Sequence, residues 1–121
     1  MARIMVVDDS PADLQNLKGI LQKGGHQVIE VVSGQDSIAK AKAEKPDAIV
    51  MDVVMPGVNG FQATRSISKD PETSAIPIIV VSAKNQETDR VWALRQGAKE
   101  YVTKPVNDAD LLAKVKQLLG G

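Results

Sequence analysis

Cysteine is absent from this chain, and histidine occurs once, at His26, among 121 residues. Disulfide staples, thiolate metal sites and cysteine nucleophiles are excluded, and one imidazole is too few for an ordinary zinc site. Both scarcities suit a reducing compartment, and a cytoplasmic protein is expected. Aromatic residues are nearly as rare, with only Phe61, Trp92 and Tyr101 present. The core must therefore be aliphatic, and an aromatic at the surface becomes informative. Neither sign of charge is in excess, since fifteen Lys plus Arg balance fifteen Asp plus Glu. Without a basic surplus to neutralise phosphates, nucleic acid is not an expected partner. No apolar run exceeds four residues, whereas a membrane helix needs ~20 and a signal-peptide core about 7–15. Neither membrane insertion nor export is expected.

The length suits one domain over residues 1–121, and the sequence shows no repeat or low-complexity stretch. Ile4 to Val7, Ala48 to Met51 and Ile78 to Val81 are short apolar runs without alternation. That pattern belongs to parallel strands covered on both faces, so these three are expected at the centre of a sheet. Val28 to Val32, broken by Glu30, and the short run Tyr101 to Thr103 are expected at its edges.

Helical patterns fill the intervals. Ser10 and Pro11 supply a cap and a first-turn proline, Leu14, Leu17 and Leu21 recur at helical spacing, and Gly24-Gly25 stops the run. Gly34 to Glu44 is Ala-rich with Ile38 inward, while Phe61, Thr64 and Ile67 mark a third helix closed at Asp70-Pro71. Asn59-Gly60 is expected as a turn before it, and His26 as a solvated turn. Thr88, Val91, Leu94 and Ala98 are expected to form the inner face of a fourth helix, leaving Trp92 exposed or at the boundary. Leu111, Leu112, Val115, Leu118 and Leu119 give a fifth helix its apolar stripe.

Strands and helices in strict alternation predict a doubly wound α/β fold, with a five-stranded parallel sheet in the order 2-1-3-4-5 and five helices. In such a sheet, ligands bind at the carboxyl ends of the central strands. Asp8 and Asp9 follow the first strand, Asp52 the third, Ser82 the fourth and Lys104 the fifth. Each has an ordinary reading: a helix cap for Asp8 or Asp9, a turn for Ser82, a solvated charge for Lys104. Their joint arrival at one sheet edge outweighs those readings. Crowded carboxylates with no His or Cys beside them select Mg²⁺ or a similar hard cation, and a bound cation invites a phosphoryl group.

The segments Val6-Val7-Asp8-Asp9-Ser10, Met51-Asp52-Val53-Val54-Met55-Pro56-Gly57, Val81-Ser82-Ala83 and Tyr101-Val102-Thr103-Lys104-Pro105 resemble the signature motifs of response-regulator receiver domains. They occur in order and span nearly the whole chain. The resemblance implies that Asp52 accepts a phosphoryl group from a sensor histidine kinase. It also implies that Asp8, Asp9, Asp52 and the Val54 backbone carbonyl organise Mg²⁺, Asp8 acting through water. By the same resemblance Lys104 pairs with the acidic site, Ser82 hydrogen-bonds the phosphoryl oxygens on activation, and Tyr101 changes rotamer in response. Such a domain is not an enzyme beyond assisting its own phosphorylation and dephosphorylation. Phe61 to Arg65, Lys69 to Pro77 and Gln86 to Gln96 look most like CheY-like single-domain regulators of the PilH type, linked to type IV pili and twitching motility.

With the last helix ending near Gly121, no output domain is expected, and a monomer acting through protein contact is anticipated. Trp92 and Tyr101 would anchor a face for a downstream motility or signalling protein. Two other classes compete. A metal-dependent phosphatase with an Asp nucleophile spaces its nucleophile and acid two residues apart, whereas Asp8 and Asp9 are adjacent. A flavodoxin-like carrier wants a Gly- or Ser/Thr-rich phosphate loop after the first strand, where this chain presents anions. A receiver serving only as a phosphate sink is the third alternative.

Overall fold

Every strand of the computed structural model is followed by a helix, and residues 2–120 are described. The order is β1 Arg3–Val7, α1 Pro11–Lys23, β2 Gln27–Val31, α2 Gly34–Glu44, β3 Ala48–Asp52, α3 Gly60–Lys69, β4 Ile78–Ser82, α4 Glu87–Arg95, β5 Glu100–Thr103 and α5 Asp108–Leu118. All pairings are parallel and the sheet runs β2-β1-β3-β4-β5. The expected architecture and strand order are therefore observed. Met1 and Gly121, the ends of the expected unit, lie outside the described residues.

Strand residues alternate between two helix layers because successive side chains point to opposite faces. Ile4, Val6, Val50, Ile79, Val81 and Val102 pack with Leu14, Leu17, Leu21, Leu111 and Val115 of α1 and α5. Met5, Val7, Ile49, Met51, Ile78 and Val80 pack with Ala41, Ala63, Ile67 and Ala93 of α2, α3 and α4. Every residue of β3 and β4 is buried, as central strands require. The edge strands β2 and β5 keep exposed positions.

Helix starts follow local chemistry. Ser10, Ser33, Asn59 and Asn107 each accept a backbone N–H from the first turn of α1, α2, α3 and α5. Asn59 is thus an N-cap rather than only a turn residue. Gln62 Oε1 accepts the Asn59 backbone N–H in return, closing a reciprocal box.

Three expectations need correction. β2 begins one residue earlier than expected and ends at Val31, leaving Val32 57% exposed. His26 is half-buried, and its Nδ1 accepts the Ala2 backbone N–H at 3.3 Å, so it ties the end of α1 to the start of β1. The face assigned to α4 is rotated. Val91 is 38% exposed and Thr88 is exposed; Ala93 is the buried helix residue, followed by Gln96 and Ala98 beyond the helix end. Arg65 of α3 donates to Gln96 Oε1 at 3.4 Å, a polar contact at the helix end. Trp92 is 49% exposed, as expected.

Candidate functional site

The fold carries the acidic residues to the sheet edge by continuing its ladders past the strand ends. Asp52 is the last residue of β3. Beyond β1, the Asp8 N–H donates to the Val31 carbonyl at 3.0 Å, and beyond β5 the Lys104 N–H donates to the Ser82 carbonyl at 2.8 Å. Asp8, Asp52 and Lys104 each fall two positions after a residue packed toward α1 and α5, namely Val6, Val50 and Val102. Strand alternation therefore aims all three at the same side. Gly60 is required at the start of α3: its N–H donates to the Val53 carbonyl at 2.9 Å, and a Cβ there would overlap the Asp52 carbonyl.

One oxygen from each of Asp8, Asp9 and Asp52 falls within 4.8 Å of the others. Asp8 and Asp52 are buried, Asp9 is exposed. The Lys104 ammonium donates to Asp8 Oδ2 at 3.2 Å and to Asp52 Oδ1 at 3.0 Å. It also donates to Asp13 Oδ2 at 2.9 Å, a partner from the first turn of α1. Sequence reasoning passed over Asp13 because an acid three residues after a serine N-cap reads as an ordinary helix-start residue. The other oxygen of Asp8 accepts the Ser10 backbone N–H at 2.9 Å.

Burial pushes the Asp52 carboxyl above its ordinary range; the hydrogen bond from Lys104 opposes this, while the charges of Asp8 and Asp9 add to it. For Lys104, burial favours the neutral amine, but the bonds to Asp13 and Asp52 and the charges of Asp52 and Asp8 outweigh it, so the ammonium is held above its usual range. The donor set fits a divalent cation of the Mg²⁺ type, being all oxygen and rich in carboxylate. Among the described residues no hydrogen bond reaches Asp9 or Oδ2 of Asp52, which leaves ligand oxygens free.

The side chains of the remaining expected residues make no hydrogen bond to this cluster. Ser82 is buried at the end of β4, one position out of phase with Asp52 along the strands, and its Oγ accepts the Lys84 N–H at 3.1 Å. Tyr101 lies half-buried, its O–H donating to the Lys84 carbonyl at 2.7 Å. Val54 follows β3 and is 66% exposed. Trp92 stands apart from the cluster on the outer surface of α4, in a shallow groove with Glu87, Thr88, Val91 and Arg95.

A parallel sheet of this order, with an acidic cluster and a lysine at its carboxyl edge, defines a receiver-type fold and site. Residues 4–116 match the family model of the response regulator receiver domain, and the chain belongs to that family. It is similar to protein PilH of Pseudomonas aeruginosa, with 55% identity over 121 residues covering all of both chains. Among solved structures, it resembles the receiver domain of sensor histidine kinase PA1611 from Pseudomonas aeruginosa PAO1, which has a magnesium ion coordinated in its active-site cleft. That likeness has a TM-score of 0.91 at 29% identity, covering 99% of this chain and 98% of the other. The chemotaxis protein CheY4 of Vibrio cholerae matches with a TM-score of 0.90 at 27% identity, covering 98% of each chain. Receiver domains act as phosphoacceptors for histidine kinases and bind Mg²⁺ at an acidic pocket. Among the described residues no helix is long and apolar enough to cross a membrane.

Proposed function

We propose that this chain works as a single receiver unit over residues 1–121, phosphorylated on Asp52 by a sensor histidine kinase and acting through protein contact. The observation that carries this reading is the convergence of Asp8, Asp9 and Asp52 oxygens within 4.8 Å, with Lys104 bonded to Asp8 and Asp52. Asp8, Asp9, Asp52 and the Val54 carbonyl are the residues that would hold Mg²⁺, which neutralises charge on the phosphoryl oxygens when bound. A carboxylate oxygen of Asp52 attacks phosphorus, the bond from phosphorus to the donor breaks, and its electron pair leaves with the donor. The product is a mixed anhydride, labile enough for a transient signal. Lys104 redirects a hydrogen bond from the Asp52 carboxylate to a phosphoryl oxygen, keeping its protons, and Ser82 supplies a hydroxyl donor.

Acetyl phosphate with Mg²⁺ is expected to add one alkali-labile phosphoryl group, detected by intact mass and missing in Asp52→Asn. Label persisting in that variant overturns the assignment, and sustained phosphate release with no mass gain points to the hydrolase alternative.

Output follows from a short chain of hydrogen bonds. Ser82 Oγ holds the Lys84 N–H, and the Lys84 carbonyl holds the Tyr101 hydroxyl. A Ser82 hydroxyl drawn to the phosphoryl group loosens Lys84, and with it Tyr101 and the start of α4. Trp92 and Tyr101 form the face that reads this change, on neighbouring elements α4 and β5. Burying an aromatic anchor contributes upward of ~2 kcal/mol, so Trp92→Ala is expected to weaken partner binding about thirtyfold while phosphorylation is unaffected. Tyr101→Ala is expected to remove the difference between phosphorylated and unphosphorylated affinity. Titration of the cognate partner against both variants decides it: wild-type affinity and phospho-dependence in both would place the output surface elsewhere. End-to-end likeness to PilH supports a cytoplasmic, monomeric regulator in type IV pilus and twitching-motility control, without nucleic-acid binding.

A further inference from the structure

The Lys104 ammonium has three N–H groups and three carboxylate partners, and the shortest of these bonds goes to Asp13, at 2.9 Å. Asp13 lies three residues after the N-cap Ser10, from where an acid ordinarily reaches back to the N-cap N–H. In this chain that N–H is taken by Asp8 Oδ1 at 2.9 Å, so the Asp13 carboxylate is left to face Lys104. The Asp13 backbone N–H still donates to Ser10 Oγ at 3.4 Å, which fixes where its side chain departs from α1. The contact spans a cleft between α1 and the segment after β5, lined by Asn16, Leu17, Pro105 and Val106.

We propose that Asp13 is a positioning residue whose carboxylate holds one of the three Lys104 N–H groups toward α1, so that the ammonium is only shared with the Asp8 and Asp52 oxygens that a divalent cation needs and yields them more readily. The inference rests on the phosphoacceptor reading of the cluster. Deprived of Asp13, the ammonium has only Asp8 and Asp52 to satisfy its donors, and it settles more tightly on the two carboxylates it already touches. There it becomes a resident competitor, since a cation approaching the same oxygens meets an unscreened like charge. Asp13 thus acts on the site through Lys104 alone.

Titration of Mg²⁺ by calorimetry into wild type, Asp13→Asn, Lys104→Gln and the double variant tests this, because a double-mutant cycle isolates what one residue does through another. Asp13→Asn is expected to weaken Mg²⁺ about fivefold, Asp13→Glu to recover most of that loss, and Lys104→Gln to bind Mg²⁺ more tightly than wild type. Within the Lys104→Gln background, Asp13→Asn is expected to change affinity by less than about twofold. Melting of all five proteins in EDTA confirms that each is folded before titration, and the four of the cycle should show a non-additive Asp13–Lys104 pair. Loss of a nearby negative charge alone would weaken Mg²⁺ equally in both backgrounds, and that result overturns the inference. So does wild-type affinity in Asp13→Asn. A wild type that takes up no Mg²⁺ instead overturns the phosphoacceptor reading of the cluster, and the inference with it.

Discussion

Asp9→Asn is expected to weaken Mg²⁺ binding by about a hundredfold, roughly 2.7 kcal/mol, the largest single effect at this site. Asp8 already spends one oxygen on the Ser10 N–H and the other on Lys104, and Asp52 spends Oδ1 on Lys104. Asp9 is exposed and none of the described residues donates to it, so both its oxygens are free to meet a hydrated cation. Neutralising it removes a full charge where the attraction is least compensated. Calorimetry showing equal affinity in wild type and variant would remove Asp9 from the site.

The pH dependence of the same titration follows from Asp52. Burial, with the Asp8 and Asp9 charges assisting, holds its carboxyl above the ordinary range despite the Lys104 bond. A cation requires the ionised carboxylate, so affinity is full above that raised pKa and is lost as pH falls through it. Asp9→Asn removes one of the raising charges, so its loss of affinity is expected to begin at lower pH than in wild type. Folding stability without metal runs the other way. A carboxyl whose folded pKa is raised favours the folded state at low pH, and that contribution is lost as pH rises through the folded pKa.

Lys104→Gln is expected to cost the metal-free protein about 2–3 kcal/mol, below the full figure for a broken buried pair because the cluster opens to water. The ammonium is the group that offsets Asp8 and Asp52, whose side chains are only 1% and 7% exposed. Taking it away leaves buried carboxylates repelling one another, with only neutral donors nearby. Divalent cation replaces the missing charge, so millimolar Mg²⁺ should restore most of the lost melting temperature, and more of it than Mg²⁺ adds to wild type. Thermal melts in EDTA and in Mg²⁺ check both halves. A variant as stable as wild type in EDTA, or one that Mg²⁺ does not rescue, would mean the cluster is already neutralised by protonation.

How much of this was legible beforehand depends on the range of the forces involved. The strand order was readable because uninterrupted aliphatic runs such as Ile4 to Val7 and Ile78 to Val81 must be covered on both faces, while Glu30 relegates β2 to an edge. Asp8, Asp52, Ser82 and Lys104 could be placed at one edge because each directly ends or follows a strand, and parallel strands bring their carboxyl ends together. These are local properties of the chain, fixed by periodicity and by where an apolar run stops.

Tertiary structure decided what local pattern leaves free. The rotation of α4 departs from apolar periodicity: Val91 and Leu94 are more apolar than Ala93, yet Ala93 is the helix residue buried in the core while Val91 stays 38% exposed. Tyr101 bonds to a carbonyl 17 positions away, a partner chosen by the path of the β4–α4 loop. Asp13 and Lys104 are 91 positions apart. Nothing in the sequence near either one announces the other. Their bond exists because Asp8 claims the Ser10 N–H, because the β5 ladder runs on to Lys104, and because α1 packs on the face toward which strand alternation aims the ammonium. Strand periodicity and the residues that end each strand thus determined the sheet and its acidic edge, while the partner of each charge at that edge was settled only when distant segments competed for the same donors in the folded chain.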